Sequence, residues 1–214
     1  ARMQALRALR ERWRAVTAKD FEEIVLGQPE FRVARVRCVA ERDLSAFDPN
    51  TLRPGHVSVV IVPDGPGHQA SDILIAAVER VLDQRRLITC RHHVVGASWI
   101  PLSVRAEVVR MPQVPEDLVR GAMARELTSF FDPFTGGDGG KGDGWPFGRD
   151  VHISEVFQVL ERTDGVDHVE SLRLFTGDGS TWVDGGGRVA VPADGLIRFD
   201  IVASELVVSS ALGG

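Results

Sequence analysis

Tyrosine is absent from this chain of 214 residues, lysine is confined to Lys19 and Lys141, and cysteine occurs only at Cys38 and Cys90. Both cysteines lie inside apolar alternating segments rather than at framework spacings, which excludes a disulfide scaffold and a four-cysteine zinc site. That usage suits a reducing compartment. An apolar run of about 18 residues, the length that crosses a bilayer, is missing, and the amino end lacks the apolar centre and small-residue cleavage site of a signal peptide, so no membrane insertion is expected. A basic excess is missing too. With 25 basic against 30 acidic side chains the net charge is -5, which supplies no global field for nucleic acid. Neither G-x-S-x-G nor H-E-x-x-H occurs.

What is present is an ordinary globular composition, 43% hydrophobic and 26% charged, in a length that corresponds to about 1.4 typical domains. Either one large core or two small ones fits. The chain starts without an initiator Met and inside an amphipathic pattern, as expected of the carboxyl-terminal part of a longer protein.

Leu6, Leu9, Trp13 and Val16 step by 3, 4 and 3, the spacing of an a/d seam on a helix over residues 1–16, a stretch that also carries Arg2, Arg7, Arg10, Arg12 and Arg14. Such a seam suits a partner helix or the chain's own domain, and the basic face reads as solvated. Thr17 and Asp20 have capping-box spacing, with Val16 and Phe21 placed for a hydrophobic staple, so a new helix starts there and presents Phe21, Ile24 and Val25 to a core. Phe31–Ala40 reads as a strand with Ala34, Val36, Cys38 and Ala40 on one face. Val57–Val62 is almost continuously β-branched, as in a central strand covered on both faces. Ser71 caps a helix to about Arg86, with Ile73, Leu74, Ala77, Val78, Val81 and Leu82 as its core stripe, and residues 87–96 return to strand.

The second half repeats part of this pattern. An offset of 45 residues carries Val59 onto Val104, Asp72 onto Asp117, Ile73 onto Leu118, Leu74 onto Val119 and Leu82 onto Leu127. A strand through Leu102, Val104, Ala106 and Val108 leads into a helix from Pro115 to Phe131, then a glycine-rich loop at 136–144, the turn Trp145-Pro146-Phe147-Gly148, a helix near Ser154–Arg162 and a strand from Val166 to Phe175. The expected fold is α+β: a bundle-type helix (1–16), two small related α/β sandwich-like units (17–97 and 98–178) and a β-rich carboxyl-terminal extension (179–214).

No catalytic constellation emerges, and the expectation is no catalytic residue, no cofactor and no metal. Gly137, Gly139 and Gly142 satisfy G-x-G-x-x-G as a string, but the loop follows a helix and runs into Trp145-Pro146, the wrong context for dinucleotide binding. Thr135 and Gly142 occupy the positions where a P-loop needs Gly and Ser or Thr. Asp138 and Asp143 lack EF-hand spacing. His92 and His93, adjacent on a strand, point to opposite faces and cannot share an ion, while His56, His68, His152 and His168 are scattered.

The segment Phe131-Asp132-Pro133-Phe134-Thr135-Gly136-Gly137, with Gly144-Trp145-Pro146-Phe147-Gly148-Arg149-Asp150-Val151 and Ser154-Glu155-Val156, resembles a signature of the baseplate protein J family of contractile phage tails and tail-like injection systems. Arg14–Phe21, Val33–Cys38, Pro54–Val57, Leu82–Arg86 and Gly165–Val169 resemble further family segments in order, so the likeness covers about residues 14 to 175. The stretch from Gly185 onward matches no family motif. The resemblance implies a structural wedge subunit, assembled in the bacterial cytoplasm into a baseplate, joining neighbouring wedges around the hub and supporting the sheath. Its implied partners are a second wedge chain, other copies of itself and the hub or sheath-initiating proteins. Leu6, Leu9, Trp13 and Val16 would contact the second wedge chain, and Trp145, Pro146, Phe147 and Arg149 would shape an inter-subunit surface; a turn covering its own domain is the competing reading. The alternative function is an intracellular hydrolase or nucleotide-binding enzyme whose site converges only in three dimensions.

Overall fold

The structure, a computed structural model, describes residues 14–137 and 144–210. The amino-terminal helix expected over 1–16 falls almost wholly outside the described residues, as do Asp138, Asp143 and most of the glycine string. The fold is α+β, and the chain divides between Ala97 and Ser98 into two units.

In the first unit, Thr17 starts α1 (Ala18–Leu26) with the expected capping box. Its hydroxyl accepts from the Asp20 amide at 3.2 Å, and the Asp20 carboxylate accepts from the Thr17 amide at 2.8 Å. The staple differs from expectation: Val16 is 63% exposed and Ala15 is the buried residue, because a bridge between Ala15 and Arg86 turns Ala15 inward. A short 3-10 turn at Pro29–Phe31 and a left-handed Arg32 then delay β1 to Val33–Ala40. A register shift between Val33 and Arg35 corrects the expected face: Ala34 and Ala40 are exposed, while Val33, Val36 and Cys38 pack on the core.

Strand β2 (His56–Pro63) is central, with β1 antiparallel on one side and β3 (Arg91–Gly96) parallel on the other. The crossover between β2 and β3 is α2 (Asp72–Asp83), capped by the Ser71 hydroxyl. Its buried stripe runs through Leu74, Ile75, Val78 and Leu82, and Ile73, expected inside, is 84% exposed. Phe21, Ile24, Val25, Val59, Ile61, Val78, Leu82 and Val94 close this core.

The second unit is organised on β4 (Ser98–Arg110), whose Leu102, Val104, Ala106 and Val108 are buried as their alternation predicts. Next come α3 (Glu116–Phe130), a two-residue β5 (Val151–His152), α4 (Ile153–Glu161) and β6 (Val166–Gly177), which runs antiparallel to β4. Leu118, expected in the core, is 65% exposed, and α3 buries Val119, Met123 and Leu127 instead.

Among the described residues, 179–210 are rich in strands, and these strands pair with others of the second unit. Strand β7 (Trp182–Asp184) pairs with β6, β8 (Arg188–Val189) pairs with β5, and β9 (Gly195–Phe199) and β10 (Glu205–Ser210) both run parallel along one edge of β4. Between those last two strands the ladder is bridged by a side chain. The Ser204 hydroxyl accepts from the Val104 amide at 3.1 Å and donates to the Asp200 carbonyl at 2.7 Å.

Candidate assembly surface

The Trp145 turn is built from the end of α3. Asp132 Oδ1 accepts from the amides of Phe134 and Thr135 at 2.8 and 2.7 Å, and its carbonyl accepts from the Trp145 amide at 3.0 Å. Gly144 makes the approach possible: it holds φ +74°, and a Cβ there would stand 2.1 Å from the Pro133 carbonyl oxygen. The indole is therefore directed inward. It is fully buried, 5.3 Å from the Phe130 ring and 5.2 Å from the Phe131 ring, and Phe131 in turn meets Phe199 of β9 at 5.2 Å. Such pairs contribute about 0.5–1.5 kcal/mol each beyond their area.

For Trp145 this favours the reading of a turn that covers its own domain, because its whole side chain packs in its own unit. Its indole N–H donates to the Arg149 carbonyl at 3.3 Å. The Arg149 guanidinium lies 4.7 Å over the indole and pairs with Glu155 at 2.5 Å, so Arg149 also serves the fold. Of the four turn residues named from sequence, Pro146 is exposed and Phe147 half-buried. Leu6, Leu9 and Trp13 of the other expected surface lie outside the described residues; Val16, the last seam position, is exposed directly beside the anchored Ala15.

The titratable groups are mostly tied to structure. Burial, reinforced by Glu22 and Cys90, pushes the Cys38 thiol up to about 12, and burial raises Cys90 as well. Neither thiol is a ready thiolate nucleophile. The Thr181 amide and the Ser180 hydroxyl and amide hold exposed Asp178 at about 2 in the turn between β6 and β7.

One cluster escaped the sequence reading. His56, which read as scattered, meets His93, which read only as the neighbour of His92: His56 Nδ1 lies 2.9 Å from His93 Nε2, with the ring centroids 5.1 Å apart and the planes within 15°. Asp43 Oδ1 approaches His93 Nδ1 at 3.5 Å. Desolvation works against ionised Asp43, but the Ser45 hydroxyl, His93, the Ser45 amide and Arg53 outweigh it and keep the carboxyl below the ordinary aspartate value. The signal that finds this trio is strand register, since parallel pairing of β2 with β3 sets Ser58 against His93. His92 points away, as expected, with Nε2 3.2 Å from the Glu79 carbonyl.

Among solved structures the chain is similar to a chain of the cryo-EM structure of the anti-feeding prophage (AFP) baseplate, 6-fold symmetrised, with a TM-score of 0.60 and 18% identity. The match covers 94% of this chain and 42% of that one, so this chain spans less than half the length of its neighbour. At that identity the likeness is one of fold. No protein-family model matches the chain, and no curated protein matches it.

Proposed function

We propose that this chain is a structural subunit of the baseplate of a contractile tail or contractile injection system, a wedge component that joins neighbouring wedges around the hub and supports the sheath. The observation that carries this reading is the fold likeness to the anti-feeding prophage baseplate chain, which extends over 94% of this chain and so takes in both units. The ordered sequence motifs point the same way. They rest on residues at 14–175, and the fold likeness rests on backbone geometry, so the two lines of support are distinct.

In this reading Leu6, Leu9, Trp13 and Val16 pack on a second wedge chain, and Pro146 and Phe147 offer surface to a neighbouring subunit while Arg149 braces the turn from within. Assembly takes place in the bacterial cytoplasm, with further copies of the chain and the hub or sheath-initiating proteins as the other partners.

The test is electron microscopy of particles purified through a tag on this chain in its native host. Contractile tails labelled at one end support the proposal, whereas a small species with no particle overturns it. A second arm concerns the seam. Replacing Leu9 and Trp13 together by Asp is expected to leave the circular-dichroism spectrum of the α/β units in place and to abolish co-purification of the second wedge chain; undisturbed co-purification removes the seam from the proposal.

A further inference from the structure

We propose that His56, His93 and Asp43 of the first unit form a binding site for a divalent transition-metal ion of the zinc class. One donor atom from each residue lies within 4.8 Å of the other two, and the two imidazoles stand closest, at 2.9 Å. The inference concerns this unit alone and does not depend on the baseplate reading.

The fold brings the donors together without local sequence help. Parallel pairing sets His56 opposite Arg91 and Ser58 opposite His93, so the two histidines are diagonal same-face neighbours on adjacent strands. Their facing ring nitrogens, at 2.9 Å, must share one hydrogen, since two bare lone pairs or two N–H groups would repel at that distance. A metal ion takes the place of that shared hydrogen, which moves to the outer ring nitrogen of His56 so that both facing nitrogens present lone pairs. With metal–nitrogen bonds of about 2.0–2.1 Å and tetrahedral angles, two imidazole nitrogens stand about 3.3 Å apart. The centroids stand 5.1 Å apart across this 2.9 Å contact, so the two nitrogens meet almost head-on, and χ rotations that part them by about 0.4 Å and turn both toward a common point convert the contact into a ligand pair.

Asp43 faces the other ring nitrogen of His93, Nδ1, at 3.5 Å, so it stands behind the ligand pair and orients that ring, and the strand itself holds it in place. The buried Ser58 hydroxyl accepts from the Leu44 amide at 2.9 Å and donates to the Arg42 carbonyl at 3.0 Å. Both neighbours of Asp43 are thereby pinned to β2, two residues from His56. Ser45 fixes the carboxylate further, with its amide at 3.1 Å and its hydroxyl at 2.6 Å from Oδ1. Arg53 approaches the other oxygen, Oδ2, at 3.9 Å, a competing charge on the side away from His93. Two imidazole donors, one of them backed by a carboxylate, favour zinc, nickel, cobalt or copper over calcium or magnesium. His93 keeps a side-chain exposure of 24%, which gives the ion an entry path and leaves room for waters as the remaining ligands.

The experiment uses the full chain without a histidine tag, stripped with a chelator and equilibrated with zinc chloride, then with cobalt chloride for its visible spectrum. Expected are one zinc per chain, a raised unfolding temperature and the visible bands of four- or five-coordinate cobalt. His56→Gln and His93→Gln, which keep side-chain volume and polarity, are each expected to abolish binding; Asp43→Asn weakens it, and His168→Gln leaves it unchanged. Circular dichroism and the unfolding temperature of the metal-free variants establish that they are folded. Failure of the wild-type chain to retain zinc overturns the proposal, as does undiminished zinc in both folded glutamine variants at positions 56 and 93.

Discussion

The two central strands of this molecule solve the same problem in different ways. In β2 the consecutive residues Ser58, Val59, Val60, Ile61 and Val62 are all fully buried, so both faces are covered and the sequence is almost unbroken β-branched. In β4 the buried Val104, Ala106 and Val108 alternate with exposed Arg105 and Glu107, and Arg105 pairs across the strand with Glu205 at 2.6 Å. Each has an antiparallel neighbour on one edge and parallel neighbours on the other. The arrangement of strands is shared, whereas the source of cohesion is not. The first unit packs a mainly aliphatic core, with Phe21, around β2; the second gathers an aromatic group of Phe130, Phe131, Trp145 and Phe199. Element order differs too, because the helix after β2 leads to a parallel strand and the helices after β4 lead to an antiparallel one.

The largest test of this contrast is truncation at each centre. Trp145→Ala is expected to lower stability by about 4 kcal/mol and Ile61→Ala by about 3 kcal/mol in denaturant titrations. Hydrogen exchange should report the first loss in β4 and β9 and the second in β1, β2 and β3. Equal loss of protection in both units after either substitution breaks the comparison.

A smaller effect probes the edge of β4. Ser204→Ala removes the hydroxyl that completes the ladder at Val104, and a cost of about 1–2 kcal/mol is expected in the same titration, with faster exchange of the Val104 amide. In the first unit, Thr17→Ala deletes half of the capping box and should cost about 1 kcal/mol, seen as a lower unfolding temperature and fraying of α1. The smallest effect is a titration. Asp178 has a folded pKa of about 2, below the ordinary value of about 3.9, so its hydrogen-bonded turn is stabilised above the ordinary value and loses that contribution as pH falls toward 2. Carboxyl NMR should show its midpoint near 2; a midpoint at the ordinary value removes the turn's hydrogen bonds from the account.

Much of this architecture was legible where one local rule decides. Thr17 and Asp20 mark a helix start by reciprocal hydrogen bonding, Ser71 does so by a single one, and Val57–Val62 announces a covered strand by composition. The errors fall where direction depends on distant partners. Ile73 and Leu118 are apolar residues in first helical turns beside better-placed neighbours, and nothing local says which of two adjacent side chains faces inward. Ala34 lost its expected face to an irregular register with β2. Trp145 is apolar in either reading of its turn, and only the close approach at Gly144 decides that it points in. His56 and His93 are far apart in sequence and meet through strand pairing, which no motif spacing encodes.

The divided edge of β4 has one more consequence. Because β9 holds Ser98–Leu102 and β10 separately holds Arg105–Arg110, detaching residues 205–210 vacates one half of the edge and leaves the other half occupied. The vacated backbone groups form a slot with a defined direction, parallel to β4, and a defined register, marked by Arg105.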